Sequence, residues 1–385
     1  MSESAGDERF RTERYDYPLP LDLIAQQPAP AREQSRLLVL DGDQLLHERF
    51  EDIVRHVQPG DVLVANDTRV LPARFLPKRR GGGKAQVLLL HPVGEAASRP
   101  YEAGTTAQMA ATTGQDATTT SELPQTWEAL VRPGQRVRVG DRLSLTAEAG
   151  FEIVGRTPLG TRLVRFYGIT ASEAMKTFGQ APLPPYIKSP PPDAAERYQT
   201  VYATHPGSVA APTAGFHFTK DLIAAITEHG AEWATLTLDV GAGTFRPVKT
   251  ADIRDHPMHA ERYEIPESTA IAIRRAKSAG GRVIAVGSTT LRSLEDSARR
   301  DSNGEVHAGS RWTDLFVYPG FQFRVVDALI TNFHLPRTTL LMLVCAFAGT
   351  QRVLTAYAEA AKLRYRFYSF GDAMLIAARA PQEPS

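Results

Sequence analysis

The sequence predicts an α/β main domain carrying an inserted small antiparallel β-barrel domain, and three observations predict it. From Asp221 onward, segments of helical period alternate with short β-branched runs. Between Val70 and Tyr167 no segment has helical period, and short β-type runs separated by Gly and Pro follow one another instead. Two early apolar runs, near Leu37 and Val62, need a sheet to join, and strands to pair with them recur only in the later α/β region. The expected organisation is a disordered tail at 1–14, a discontinuous α/β catalytic domain at 15–69 and 168–385, and the barrel at 70–167.

In chain order, Leu21 to Gln26 reads as a short helix. Arg36 to Asp41 reads as a strand that the Asp41-Gly42-Asp43 turn folds back into Gln44–His47. Asp61 to Asn66 is an apolar strand ending in the polar trio Asn66-Asp67-Thr68. The barrel strands are expected at Val70–Leu76, Ala85–His91, Trp127–Arg132, Gln135–Val139, Arg142–Thr146, Phe151–Arg156 and Arg162–Tyr167. Within them, residues 96–125 form an Ala/Thr/Gly/Gln stretch with too few large apolar side chains to order itself, expected as a mobile excursion at a hairpin tip. Thr219 is placed to cap a helix running to Glu228, and Trp233–Val240 follows as a strand. Then come a helix (Glu267–Ala279), a strand (Arg282–Gly287), a helix (Leu291–Arg299), strands at Asp314–Val317 and Val326–Ile330, and helices at Pro336–Ala348 and Gln351–Lys362.

Composition bounds the function. The 385 residues are 42% apolar and 23% charged, ordinary globular usage. The longest apolar run, Leu340 to Ala348, is far short of the ~20 residues that span a bilayer. The first residues show no apolar stretch after their charges, so neither a secretory signal nor a membrane partner is expected, and the expected location is cytoplasmic. The single cysteine, Cys345, excludes a disulfide framework. Net charge is only +1, yet basic residues cluster at Arg69, Arg74, Lys78, Arg79, Arg80 and Lys84, again at Arg132, Arg136, Arg138 and Arg142, and near the end at Arg352, Lys362, Arg364 and Arg366. Local basic tracts on a neutral chain can hold a polyanion, although solvated surface arginines cluster too.

Three segments carry possible chemistry. Ser288, Thr289 and Thr290 open a helix after a strand, where hydroxyls and free backbone N–H groups can hold an anion; simple capping needs only one of them. Gly241-Ala242-Gly243-Thr244-Phe245 follows a strand and lets a ligand approach the backbone, but it is neither a dinucleotide fingerprint nor a P-loop. Four histidines, His217, His256, His259 and His334, stand in polar loop contexts suited to acid–base work. The spacing of His256, His259 and Glu261 could supply metal ligands, but Pro257 interrupts it and no cysteine pair supports it, so no metal site is expected. Arg364 to Phe370 interleaves cations with rings, as a base-stacking strip or as a strand with a buried aromatic face.

YDYPLPLDLIAQ, GDVLVANDTRVLPARF, APTAGFHFT, LTLDVGAGTFRPV, HPMHAERYEI, VGSTTLRSLE, TNFHLPRTTLLMLVCAFAG and YRFYSFGDAMLI run in order from Tyr15 to Ile376. Over that span the chain resembles the S-adenosylmethionine:tRNA ribosyltransferase-isomerase family of queuosine biosynthesis. The resemblance implies an α/β domain with a small β-barrel. It also implies transfer and isomerisation of the ribosyl group of S-adenosylmethionine onto 7-aminomethyl-7-deazaguanine at the wobble position of tRNAs with GUN anticodons. The product would be epoxyqueuosine, with adenine and methionine released. S-adenosylmethionine would be a co-substrate, with no true cofactor, and the partner would be the anticodon arm of tRNAs of the Tyr, His, Asn and Asp type. The protein is expected to be a monomer.

Carried onto this chain, the reaction puts His217 or His334 as general base, with Asp239 holding the modified base or the cationic donor. Thr213, Gly215, Gly241, Gly243, Thr244, Arg246, His259, Ser288, Thr289, Thr290 and Asn332 would line the substrate site, Arg246 and the Ser288–Thr290 helix start taking the methionine carboxylate. The Arg69–Lys84 tract, Arg132–Arg142, Arg364 and Arg366 would meet tRNA phosphates. Departures from the family pattern are Phe216 for leucine, Ser288 for threonine, Phe370 for tyrosine and Gln86 for glutamate. Two other classes compete: an S-adenosylmethionine-dependent RNA methyltransferase, which lacks its glycine-rich loop here, and a non-catalytic tRNA-binding module, which leaves the histidine loops without purpose.

Overall fold

The computed structural model of the chain describes residues 8–93, 125–158, 160–188, 190, 193–241 and 247–381. The tail at 1–7, nearly all of the low-complexity excursion, and Gly243, Thr244 and Arg246 lie outside the described residues. The chain divides into two compact units, one formed by 1–69 with 183–385 and the other by 70–182.

The larger unit is built on a nine-stranded mixed sheet. Its order is Gly309–Thr313, Glu261–Ile265, Glu232–Leu238, Val62–Asn66, Val283–Val286, Ala328–Asn332, Ala373–Ile376, Arg36–Asp41 and Gln44–Arg49. The four strands Glu232–Leu238, Val62–Asn66, Val283–Val286 and Ala328–Asn332 are mutually parallel. Such strands are covered on both faces, which is why VLVA, VIAV and ALI read as continuous apolar runs and are fully buried. The core divides accordingly. Val62, Val64, Val283 and Ala285 pack on one face with Leu291 and Leu294, while Leu63, Ala65, Ile284 and Val286 pack on the other with Phe218, Leu222 and Ile226.

Covering helices start where the sequence places caps. Thr219 accepts a hydrogen bond from Leu222 N at 3.1 Å to open Lys220–Glu228, and Thr338 accepts from Leu341 N to open Thr339–Ala348. Among the described residues no single helix is long and apolar enough to cross a membrane. The Cys345 thiol is buried inside Thr339–Ala348.

The smaller unit holds a seven-stranded antiparallel sheet in the order Arg74–Phe75, Gln86–Pro92, Thr126–Arg132, Arg162–Tyr167, Gly150–Arg156, Arg142–Ser144 and Lys78–Arg79. Alternate residues of Thr126–Arg132 are buried, the signature of a sheet with one wet face. Phe75, on an end strand, touches Phe151 at 5.1 Å between ring centroids although three strands separate them, so the sheet curls around these rings.

Several elements differ from expectation. Leu21–Gln26 forms only a 3-10 turn at Leu21–Leu23, because Pro18, Pro20 and Pro28 crowd it from both sides. Gln135–Val139 is a 3-10 turn at Gly134–Arg136 instead of a strand. The strand expected at Asp314–Val317 lies one segment earlier, at Gly309–Thr313; Leu315 and Val317 are buried as irregular chain, with Leu315 N bonded to Thr313 Oγ1. The Arg364–Phe370 strip is no base-stacking surface: Tyr365, Phe367 and Phe370 are buried in the core.

Candidate active site

The four parallel strands end together, and each delivers polar side chains where its apolar run stops. Val62–Asn66 ends in Asn66, Glu232–Leu238 in Asp239, Val283–Val286 in Gly287-Ser288-Thr289, and Ala328–Asn332 in Asn332 and His334. Open α/β sheets bind ligands at this carboxyl edge. Gly287 makes the turn possible, since its φ of 93° and ψ of 156° are accessible only to glycine. The cleft there is lined by Thr213, Ser288, Thr289, Asn332 and His334, with Val240, Tyr368 and Ser369 among its walls.

A buried hydrogen-bonded chain backs the cleft. Ser35 Oγ meets His217 Nδ1 at 2.6 Å, Asn332 Nδ2 donates to His217 Nε2 at 3.0 Å, and Thr213 Oγ1 donates to Asn332 Oδ1 at 3.0 Å. Asn332 Nδ2 has protons only to give, so His217 accepts at Nε2 and carries its own proton on Nδ1. Burial pushes the His217 imidazolium down to about 4, with Asp372 pulling the other way. His334 is pushed down to about 3 by burial. Its Nε2 bonds Thr331 Oγ1 at 2.8 Å, and among the described residues Nδ1 has no partner. Tyr17 Oη donates to the His334 carbonyl and His334 N donates to Tyr357 Oη, fixing the loop that carries it. Both imidazoles are therefore neutral near pH 7, but only His334 faces the cleft.

The other expected residues divide. Thr290 turns away, its hydroxyl bonded back to Val286 O at 2.9 Å beneath the helix. Gly215 serves packing: a Cβ there would lie 2.1 Å from Tyr202 Oη. Asp239 lies against Gly207, where a Cβ would come within 2.0 Å of its Oδ1. Burial raises the Asp239 carboxyl above the usual range, against the opposing charge of Arg262. Gly241 donates its N–H to Glu261 Oε1 at 2.8 Å. His259 lines a second cavity with His256, Glu261 and Arg292.

Sequence reasoning missed the part that four residues play in holding this edge together. Asn66 donates to Leu238 O and to Thr289 Oγ1 and accepts from Thr68 N and Leu238 N; its place in the polar trio after a strand was the available signal. Asp372, fully buried, accepts from Arg36 and Arg366, so Arg366 is committed to an internal ion pair. Glu261 and Arg292 form a buried pair at 2.5 Å, and removing one partner of such a pair costs about 3–5 kcal/mol.

The basic tracts lie mostly in the smaller unit. Lys78 and Arg79 pair across the sheet with Ser144 and Leu143, which sets them beside Arg142. Gln86 pairs with Arg132. Arg69, Lys78, Arg80, Lys84, Arg132, Arg136, Arg138 and Arg142 are exposed, and Arg74 and Arg79 are half-buried. Among the described residues none of these ten makes a salt bridge. Arg364, exposed, pairs with Asp22.

Known proteins resemble the chain along nearly its whole length. A family described as queuosine biosynthesis protein matches residues 12–376. The S-adenosylmethionine:tRNA ribosyltransferase-isomerase of Moorella thermoacetica is 49% identical over 95% of this chain and 100% of its own length. That of Gloeobacter violaceus is 48% identical over 96% and 97%. The chain belongs to this family. Among solved structures, the S-adenosylmethionine tRNA ribosyltransferase of Thermotoga maritima matches with a TM-score of 0.50 and 34% identity, covering 94% of this chain and 99% of that one. As a ribosyltransferase-isomerase of the queuosine biosynthesis family, the chain is an enzyme of transferase type, and its mixed sheet and curled antiparallel sheet stand beside that solved neighbour.

Proposed function

We propose that this enzyme transfers and isomerises the ribosyl group of S-adenosylmethionine onto 7-aminomethyl-7-deazaguanine at the wobble position of tRNAs with GUN anticodons, those of the Tyr, His, Asn and Asp type. The product is epoxyqueuosine, released with adenine and methionine. One observation carries the reading: a single cleft at the carboxyl edge of four parallel strands gathers Thr213, Ser288, Thr289, Asn332 and His334.

The sulfonium of the donor acidifies its 5′ carbon, so a neutral base can remove a proton there. The C4′–O4′ bond breaks to leave a vinyl sulfonium, and O4′ expels adenine from C1′ as the C1′ carbonyl forms, adenine taking up a proton. The aminomethyl nitrogen then bonds to a ribose-derived carbon and gives up a proton, and methionine leaves with the electron pair of its carbon–sulfur bond. His334 is the base in this proposal, because it lines the cleft and its Nδ1 has no partner among the described residues. His217, held at both nitrogens, positions Asn332 and acts through it. Asp239 holds the modified base or the cationic donor in this proposal.

The exposed cations of 78–84 and 132–142 meet tRNA phosphates, which position the RNA, while the modified base is read in the pocket. The inserted-domain arrangement, with the barrel at 70–167, a monomeric state and cytoplasmic action belong to the same proposal. Donor labelled separately in the methyl and ribosyl groups tests the reaction, with tRNA carrying 7-aminomethyl-7-deazaguanine. Ribosyl label in the tRNA with free adenine is the expected result. Methyl label in the tRNA overturns the reaction, and full activity of His334→Ala overturns the base.

A further inference from the structure

Beside the active cleft lies a second cavity that the reaction scheme leaves unused. Its polar residues are Arg292, Glu261, His256 and His259, and its apolar wall includes Met258, Phe316, Leu340 and Leu343. Arg292 is the unusual member. Its side chain is 92% buried; Nη1 bonds Glu261 and Nε donates to Leu315 O at 3.0 Å, but Nη2 is buried with no partner among the described residues. A buried guanidinium N–H left unpaired destabilises the free enzyme, so a ligand oxygen reaching it recovers stabilisation already lost.

We infer that this cavity receives the amino-acid end of S-adenosylmethionine, with Arg292 Nη2 binding its carboxylate. The inference rests on the function proposed above. Three features fix the ligand class. The Arg292–Glu261 pair is neutral overall, which suits a zwitterion better than a phosphate or other net anion: Arg292 gives a proton to the carboxylate, and Glu261 keeps lone pairs for the ammonium group. The apolar wall takes the methylene and sulfonium-methyl chain between them. The spacing also fits. Ser288 and Thr289 line the active cleft and Arg292 stands one turn further along the same helix, a rise of ~5 Å, while Leu340 borders both cavities. The donor would thus lie along the helix, its ribose at the strand edge and its carboxylate one turn on.

The test compares S-adenosylmethionine with its decarboxylated analogue, which keeps the sulfonium, ammonium and adenosine, by calorimetric titration of the full chain. The wild type should bind the carboxylated form at least about tenfold more tightly, the worth of one charge-assisted hydrogen bond. Arg292→Lys should bring the two ligands to within about threefold by weakening only the carboxylated one. An equal loss for both ligands, or a preference that survives the substitution, overturns the assignment. Should the lysine variant fail to fold, Met258→Glu decides: a carboxylate in the cavity wall should weaken the carboxylated ligand relative to the analogue, and an unchanged ratio overturns the inference. Ribosyl transfer that proceeds without any carboxylate preference defeats this inference alone. Absence of donor binding altogether defeats the proposed function with it.

Discussion

Asn332 joins the cleft to the buried histidine behind it, and truncating it should be expensive. Asn332→Ala removes the donor to His217 Nε2 and the acceptor for Thr213 Oγ1, both at 3.0 Å. His217 Nε2 is left buried and unsatisfied, at a cost of about 1–3 kcal/mol. Thr213 borders the cleft and can turn to water, so its share is smaller. The sum is about 2–3 kcal/mol out of a typical stability of ~5–15 kcal/mol. Urea unfolding of the alanine variant should therefore show a lower midpoint at unchanged slope. Asn332→Asp is the informative companion. A carboxylate still accepts from Thr213, and His217 can donate to it from Nε2 by changing tautomer, with Ser35 Oγ then donating to Nδ1; the buried carboxylate charge is unbalanced until a proton is taken up as pH falls. The aspartate variant should recover stability as pH falls toward 5, and the alanine variant should not. A loss below about 0.5 kcal/mol in the alanine variant would refute the reasoning, since the chain from Ser35 to Thr213 would then hold nothing together.

The two buried histidines make the fold acid-sensitive. Their folded values, about 4 for His217 and about 3 for His334, lie below the unfolded 6.5, so the unfolded chain binds the extra protons and stability is lost as pH falls from 6.5 toward 4. Each histidine contributes about 3 kcal/mol or more to that fall, and urea midpoints at pH 7, 6 and 5 should decline, less steeply in His217→Asn. Gly287→Ala forces a side chain into backbone accessible only to glycine, costing about 1–3 kcal/mol; it should also weaken donor binding, because Ser288 and Thr289 follow directly. Reversing charge at Lys78 and Arg142 together should weaken tRNA binding and flatten its salt dependence, with donor affinity unchanged in filter-binding and calorimetric assays.

Much of the sheet was legible because period and burial agree. VLVA, VIAV and ALI are continuous apolar runs, and parallel strands covered on both faces have no other signature. Ser288 and Thr289 close such a run and His334 stands in a polar loop, so the sequence singled them out, whereas Asn332 came only from the family resemblance; all four line the cleft. What sequence could not show was direction. Thr290 is the same residue type as Thr289 and its neighbour, yet one hydroxyl faces the cleft and the other returns to Val286. Arg366 reads as a phosphate ligand until Asp372 is found beside it, six residues on and buried. Glu261 and Arg292 come from separate elements, and no spacing rule brings them together.

The sheet order has a consequence for the chain as it leaves the ribosome. Val62–Asn66 is made early but lies between Glu232–Leu238 and Val283–Val286, and Arg36–Asp41 waits for Ala373–Ile376, more than 300 residues later and the last strand among the described residues. The sheet of 70–182 contains all of its own partners, so it can fold while the flanking strands still lack theirs. Through most of synthesis those early apolar strands are open edges, the state in which chains associate wrongly or recruit chaperones. Ala373–Ile376 pairs with both Arg36–Asp41 and Ala328–Asn332, so a chain stopped a few residues short of Ile376 would lose the closing stave that joins the first strands made to the strand carrying Asn332.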